Sequence, residues 1–279
     1  MSAVYSILTN KVLEMIKGGT APWRRPWVQN GAPRSIAMAP GKGYRGCNYF
    51  LLSMVSAARG FGNNWATFNM IKERGGKIKE GQEKEHYPVF YYSGPQEDDE
   101  GNVLRRPCFL YTRVWNLDQI EGIEIPAVQT RTHEPIAECE RVVNGYQNAP
   151  KIEHRGDVAC YNPVFDRILM PDASAFNRAS DYYATLFHEM AHSTGHESRL
   201  NRAELKTLSD KHAYSLEELV AELTAVFLCD HAGIVNAQLE NSAAYLNGWF
   251  AALSKEPKMF ATAASRAHRA ADFILGVSE

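Results

Sequence analysis

The chain has 279 residues, 45% of them apolar, with 30 basic and 32 acidic side chains for a net charge of −2, enough material for two domains with real cores. No apolar run approaches 18 residues and the N-terminus lacks a signal-peptide pattern, so a soluble chain with no membrane partner is expected. Five cysteines (Cys47, Cys108, Cys139, Cys160, Cys229) are scattered singly, which suits a reducing cytosol better than a disulfide framework, and none makes a C-x-x-C zinc site.

The charge is unevenly spread. Residues 1–126 carry 16 basic against 12 acidic side chains and residues 127–279 carry 14 against 20, while residues 1–95 alone stand at 13 against 5. A basic domain joined to an acidic one points to nucleic acid as the partner of the first.

In chain order, Val4 to Ile16 has the spacing of an amphipathic helix, and Gly18 to Pro22 ends it. Pro22-Trp23-Arg24-Arg25-Pro26-Trp27 then interleaves two indoles with two guanidinium groups on a proline-stiffened segment. That composition suits a single strand, whose bases stack on rings while its phosphates meet cations. Lys42-Gly43-Tyr44-Arg45-Gly46-Cys47-Asn48 flanks projecting side chains with glycines that allow close backbone approach. Leu51 to Arg59 is expected to be helical, and Trp65 to Asn69 leads into a short helix carrying Lys72 and Arg74. Lys77-Ile78-Lys79, Val89 to Tyr92 and Cys108 to Asn116 alternate as strands do, with Glu97 to Glu100 as a solvated hairpin tip. This region is therefore expected to be α+β with an antiparallel sheet, and to bind DNA through Trp23, Arg24, Arg25, Trp27, Lys42, Tyr44, Arg45, Asn48, Trp65, Lys72, Lys77 and Lys79.

Residues 1–126 form this first domain, 127–135 a linker and 136–279 a second domain. The second opens with a helix near Ile136 to Asn148, followed by a β-hairpin from Val158 to Pro171. That hairpin precedes the metal helix, where the edge of a small sheet can hold a peptide as an added strand. Alanine-rich helices from about 236 to 253 and 256 to 275 make the rest mostly helical.

Between them lies His188-Glu189-Met190-Ala191-His192, an H-E-x-x-H signature expected by accident about 2 times in 100 chains of this composition. Tyr183, Leu186, Phe187, Met190 and Ala191 form one apolar stripe of a helix that Ser180 or Asp181 can cap and Gly195 can end. At about 100° per residue, His188 and His192 lie about 40° apart and can bind one metal, with Glu189 beside them. A catalytic zinc, or another divalent metal in its place, wants a third protein ligand. His196 follows the helix-ending Gly195, and the third histidine of the extended signature falls on Ser198. Ser215 to Cys229 reads as a second helix in which Glu218 and Glu222 share a face. Glu218 is assigned as the third ligand and Glu222 as the carboxylate orienting a liganding imidazole, with Glu222 as the alternative ligand. Glu218 has a competing role, because Ser215-x-x-Glu218 is also a capping box.

Such a site hydrolyses peptide bonds: Glu189 takes a proton from an activated water and passes it to the leaving amine, with Tyr161, Tyr214 and His212 as candidates for steadying the oxyanion.

Gly43-Tyr44-Arg45-Gly46-x-Asn48, Trp65-x-Thr67-Phe68 and Gly75-Gly76-Lys77-Ile78-x-x-Gly81 resemble the DNA-binding domain shared by ArdC antirestriction proteins and TraC-type plasmid primases. Val114-Trp115-Asn116-x-x-Gln119-x-x-Gly122, the segment Leu186 to His196, and Glu217-Glu218-Leu219-Val220-Ala221-Glu222-Leu223 resemble the zincin-like domain of ArdC and the approach to it. The resemblance covers nearly the whole chain. It implies a cytoplasmic protein of conjugative elements that binds single-stranded DNA, and secondarily duplex DNA, and protects incoming DNA from restriction. It also implies a metal at His188 and His192 with an acidic third ligand, in a domain similar to SprT-type proteases, acting on an unidentified protein substrate. In the alternative, the protein coats DNA and its metal is structural.

Overall fold

A computed structural model describes residues 3–19, 32–39, 42–97, 103–105, 108–124, 134–206, 211–235 and 243–277. The chain divides into two compact units, Met1–Asn10 with Ala32–Gln129, and Lys11–Gly31 with Thr130–Glu279. Both mix helix and strand, so the chain is α+β, and no helix among the described residues is long and apolar enough to cross a membrane. The five cysteines are free thiols.

Helix α1 (Ala3–Lys17) precedes the strands of the first unit. These are β1 (Arg34–Ser35), β2 (Asn64–Thr67), β3 (Lys77–Ile78), β4 (Tyr87–Ser93), β5 (Gln96–Glu97), β6 (Val103–Arg105), β7 (Cys108–Asn116) and β8 (Ile120–Glu121), with α2 (Gly46–Arg59) after β1 and α3 (Phe68–Glu73) after β2. The main sheet has the order β1-β2-β7-β4 and is antiparallel except for the two-residue β1–β2 pair. Side chains alternate across it, so each face builds its own core. On one face Leu52 of α2 packs with Trp65, Val89 and Val114, and on the other Ile36, Ala66, Ile71, Trp115 and Ile120 pack together. Helix α3 starts where Thr67 Oγ1 accepts the Met70 N–H.

Two expected DNA contacts turn out to be architectural. Trp65 is fully buried, with Phe61 and Tyr87 set edge-on against its ring, because β2 is a central strand covered on both faces. No base can stack on it. Asn48 clamps the sheet edge: its side-chain amide donates to the Phe90 carbonyl at 2.6 Å and its Oδ1 accepts the Phe90 N–H at 2.7 Å. Since β4 is an edge strand, Pro88, Phe90 and Tyr92 present their backbone groups outward. Proline has no N–H to offer and Phe90 is occupied by Asn48, so most of this edge is closed to another strand.

The second unit contains α4 (Pro135–Gly145), β9 (Lys151–His154), β10 (Cys160–Asn162), β11 (Arg167–Met170), α5 (Ala179–Ser193), α6 (Lys211–Ala232), α7 (Ala243–Lys255) and α8 (Met259–Leu275). The expected hairpin is β10–β11, and β9 adds to it in parallel to give the order β10-β11-β9. Helix α6 is the axis of the unit. From Leu219 to Cys229 every residue is buried, as befits a helix packed on all sides by α4, α5 and α8. Alanines at 263, 264, 267, 270 and 271 let α8 come close enough for Thr224 Oγ1 to reach the Ala267 carbonyl at 3.3 Å. Burying side chains such as Leu219 and Leu223 contributes about 1.5–3 kcal/mol each. That rigid stack fixes α5 and α6 side by side.

Candidate functional site

Helix α5 buries Tyr183, Leu186, Phe187 and Met190 and leaves His188 and His192 on the face that meets α6. It begins at Ala179 after Arg178, rather than on a Ser180 or Asp181 cap. Asp181 instead receives a two-pronged hydrogen bond from Arg178. Helix α6 begins at Lys211, so Ser215 lies inside it and Glu218 sits well past the first turn. The capping-box role for Glu218 therefore falls away.

His188, His192 and Glu218 converge. The two Nε2 atoms are 3.1 Å apart, and the Glu218 oxygens lie 3.7 Å from His188 Nε2 and 3.5 Å from His192 Nε2. Ligands about 2.1 Å from one ion in a tetrahedron are about 3.4 Å apart, so these three side chains span the edges of one coordination site. Burial pulls the His188 pKa down, but the Glu218 hydrogen bond and the charges of Glu189, Glu218 and Glu222 outweigh it and hold it above its ordinary value. Burial pushes Glu218 up, and its contacts with the two histidines bring it below the usual range. Excess carboxylate around two imidazoles is a charge distribution that a cation completes.

The carboxylate behind His192 is Glu217, which corrects the role expected of Glu222. Glu217 Oε1 lies 3.2 Å from His192 Nδ1, and a proton held there leaves Nε2 free as a ligand. Glu217 is 1% exposed and is held in turn by Arg202, whose Nε donates to Oε2 at 2.8 Å and Nη2 to Oε1 at 2.6 Å. Arg202 also donates to Thr194 Oγ1 and the Ala191 carbonyl. Burial favours the neutral acid at Glu217, yet the bonds from Arg202 and His192 prevail and keep its pKa low. Glu222 Oε2 instead accepts the Tyr245 hydroxyl of α7 at 2.6 Å. The geometry explains the exchange: residue 217, not 222, lies one helical step from Glu218 towards the end of α5.

Gly195 has a different reason from the expected helix stop. A Cβ there would stand 2.9 Å from Arg202 Nη2 and 3.1 Å from its Cζ, so glycine clears the path of the guanidinium. His196 is engaged with Ser198 Oγ at 2.8 Å.

Glu189 is 8% exposed, and its Oε2 accepts the Tyr161 N–H of β10 at 2.7 Å. The Tyr161 hydroxyl donates to Asp166, which pairs with the buried Arg199, and Arg199 Nε donates to the Ser193 carbonyl at the end of α5. The hairpin is thus tied to the helix at both ends of the site. Burial, and then Asp166, push the Tyr161 hydroxyl far above its ordinary range, so it is committed to that network rather than free to donate to an oxyanion. Tyr214 is 49% exposed beside Glu218, whose charge, followed by burial, raises its pKa. The His212 side chain lies outside the described residues.

Trp23, Arg24, Arg25 and Trp27 lie outside the described residues. Lys42 and Arg45 are exposed before α2, and Tyr44 is half-buried against the α2 core. Lys72, Lys77 and Lys79 are all exposed. Lys72 and Lys77 line one groove with Phe68, Ile71, Ile78 and Glu83, whereas Lys79 Nζ donates to the Asp118 carbonyl. The residues that sequence reasoning missed are Glu217, Arg202, Arg199 and Asp166.

Residues 2–132 match the family described as the N-terminal domain of anti-restriction factor ArdC, and residues 138–266 match a zincin-like metallopeptidase family. Crystal structures of the antirestriction ArdC protein from plasmid R388 are similar throughout. The metal-free form has a TM-score of 0.77 at 32% identity and covers 97% of this chain and 96% of that one. The Mn(II)-bound form has a TM-score of 0.78 at 31% identity, over 98% and 97%. A DNA primase TraC of Escherichia coli is 30% identical over 99% of the chain, which spans only 20% of that primase.

Proposed function

The chain belongs to the ArdC antirestriction family, and from that premise we propose that it binds single-stranded DNA through residues 1–126 and cleaves a protein near that DNA through residues 136–279, with 127–135 as the linker. In this reading it acts in the cytoplasm and shields incoming plasmid DNA from restriction. The basic first domain and the Lys42, Tyr44, Arg45, Lys72, Lys77 and Lys79 side chains support the DNA partner, with Trp23, Arg24, Arg25 and Trp27 as further contacts.

His188, His192 and Glu218 would hold a divalent metal, for which the Mn(II)-bound relative and the converging donors speak; zinc is the ion their chemistry suits best. When bound, such an ion supplies Lewis acidity that makes a water more acidic and polarises a carbonyl. The chain's own residues do the rest. Glu217 fixes the His192 ring, and Glu189, one oxygen fastened to the Tyr161 amide, has the other available to take a proton and return it to a leaving amine.

The observation that carries the peptidase reading is Glu189: a structural metal needs no carboxylate base held beside it, and here one is aimed by the strand that would carry substrate. Glu189→Gln is expected to keep metal content and DNA binding while abolishing protection from restriction and cleavage of a casein substrate. Full protection by that variant would establish instead that the protein acts by coating DNA.

A further inference from the structure

The strands β4 and β7 present a row of rings and cations on one face. In their register Phe90 faces Tyr111, Tyr92 faces Phe109 and Pro88 faces Arg113, and directly opposed residues share a face. Alternation along β7 adds Trp115 to the same side. The deeper rings form the floor: Phe90 stacks on Phe109 at 5.6 Å, Tyr5 of α1 covers Phe109 at 4.6 Å, and Trp115 is 7% exposed. Above this floor Tyr92 is 68% and Tyr111 39% exposed. Arg113, also exposed, makes no ion pair with any described residue. The row does not stop at the sheet. Trp115 lies 6.3 Å from Phe68, which is 50% exposed, with the Lys72 ammonium 5.7 Å from its ring. Phe68 and Lys72 open the groove whose lining also holds Lys77 and the acidic Glu83.

Exposed rings are costly unless something flat covers them, and two of these have a cation close in the row: Arg113 two residues along β7 from Tyr111, and Lys72 beside Phe68. From Tyr111 to Trp115 the strand spans roughly 13 Å, so the row is long enough for more than one unpaired base. A duplex hides its base faces inside the stack, and only a single strand can offer them to protein rings. The excess of basic over acidic side chains in residues 1–95, 13 against 5, matches a polyanion.

We propose that a single-stranded nucleic acid lies along this face, with bases stacked on Tyr111 and Phe68 and phosphates on Arg113, Lys72 and Lys77. This deepens, and rests on, the reading that the first domain binds single-stranded DNA. Neither Tyr111, Phe68 nor Arg113 stood among the sequence candidates, because each is an ordinary member of a strand or helix until the register sets them side by side.

The test uses the full chain, a fluorescein-labelled oligothymidylate and anisotropy titrations. Phe68→Ala and Tyr111→Ala should each weaken binding roughly 5- to 150-fold. Arg113→Ala should reduce the slope of log affinity against log salt by about 0.7. Phe68→Trp and Tyr111→Phe should retain affinity, and Tyr91→Ala, 46% exposed on the opposite face, should leave it unchanged. Wild-type affinity in both alanine variants, or an unchanged salt slope in Arg113→Ala, would overturn the assignment of the face while leaving DNA binding intact. Should an alanine variant lose its fold by circular dichroism, the Arg113 slope decides. No binding by the unaltered chain would bring down both readings at once.

Discussion

The histidine cluster of the second unit and the β4–β7 face of the first hold their side chains in opposite ways. At the cluster each polar group is braced by another behind it: His192 by Glu217, Glu217 by Arg202, and Arg202 by Thr194 and the Ala191 carbonyl. On the sheet face Tyr92 and Tyr111, and beside it Phe68 of α3, reach into solvent, and the rigid part is the backbone beneath them. A small ion needs its donors within a few tenths of an ångström, so the supporting shell must be dense. A base accepts any flat ring, and its position is set well enough by the pitch of a strand.

This contrast predicts that changes one layer behind the surface are severe in one region and milder in the other. Arg202→Met leaves Glu217 buried without its counter-charge and should cost about 3–5 kcal/mol of stability in urea unfolding. It should also weaken Mn(II) or Zn(II) affinity about 10- to 100-fold through the released His192 ring. The paired change Glu217→Gln with Arg202→Met should recover much of the stability and little of the affinity. A single Arg202→Met with wild-type metal binding would break the idea that the relay orients the site. Asn48→Ala, the corresponding change behind β4, should cost about 1–3 kcal/mol, because two backbone groups of Phe90 lose their partners. Oligothymidylate affinity measured well below the melting temperature should stay close to that of the unaltered chain.

The smallest effect is a pH dependence. The Asp166 carboxyl is resisted by burial but held below its ordinary range by hydrogen bonds from Arg199 and Tyr161. A carboxylate depressed in the folded state stabilises it above the unfolded value, about 3.9, and loses that contribution as pH falls through the folded value. Asp166→Asn should therefore lower the melting temperature at pH 7, and the gap should close as pH falls below the ordinary carboxylate value and through the depressed folded one. A constant gap across that range would show that the Asp166–Arg199 contact acts by packing alone.

The parts of the molecule read most directly from sequence are those governed by one helix period. His188 and His192 share a face of one helix with Glu189 beside them, and Glu218 follows from its place one turn from Glu222 on the same face of the next helix. The hairpin at Cys160 to Met170 announced itself by its turn and alternation. What escaped depends on contacts between elements. Glu217 beside Glu218 looks like one half of a solvated acidic pair until Arg202, 15 residues earlier, is folded against it. Glu222 fitted the periodic rule for a supporting carboxylate, but the approach of α7 gave it to Tyr245. Trp65 read as a ligand ring because nothing in Asn64 to Thr67 shows that β2 has neighbours on both sides. Lys151 to His154 is too polar to suggest a strand and becomes one by pairing with Arg167 to Met170.

The close approach of Arg202 to Gly195 leads outside this one molecule. Because a methyl group at position 195 would meet the guanidinium at 2.9 Å and the His192 carbonyl at 3.2 Å, alanine there would push Arg202 off its present path, and a shorter residue at 202 would relieve the tighter of the two contacts. Across related sequences a larger residue at 195 should therefore be accompanied by a smaller one at 202.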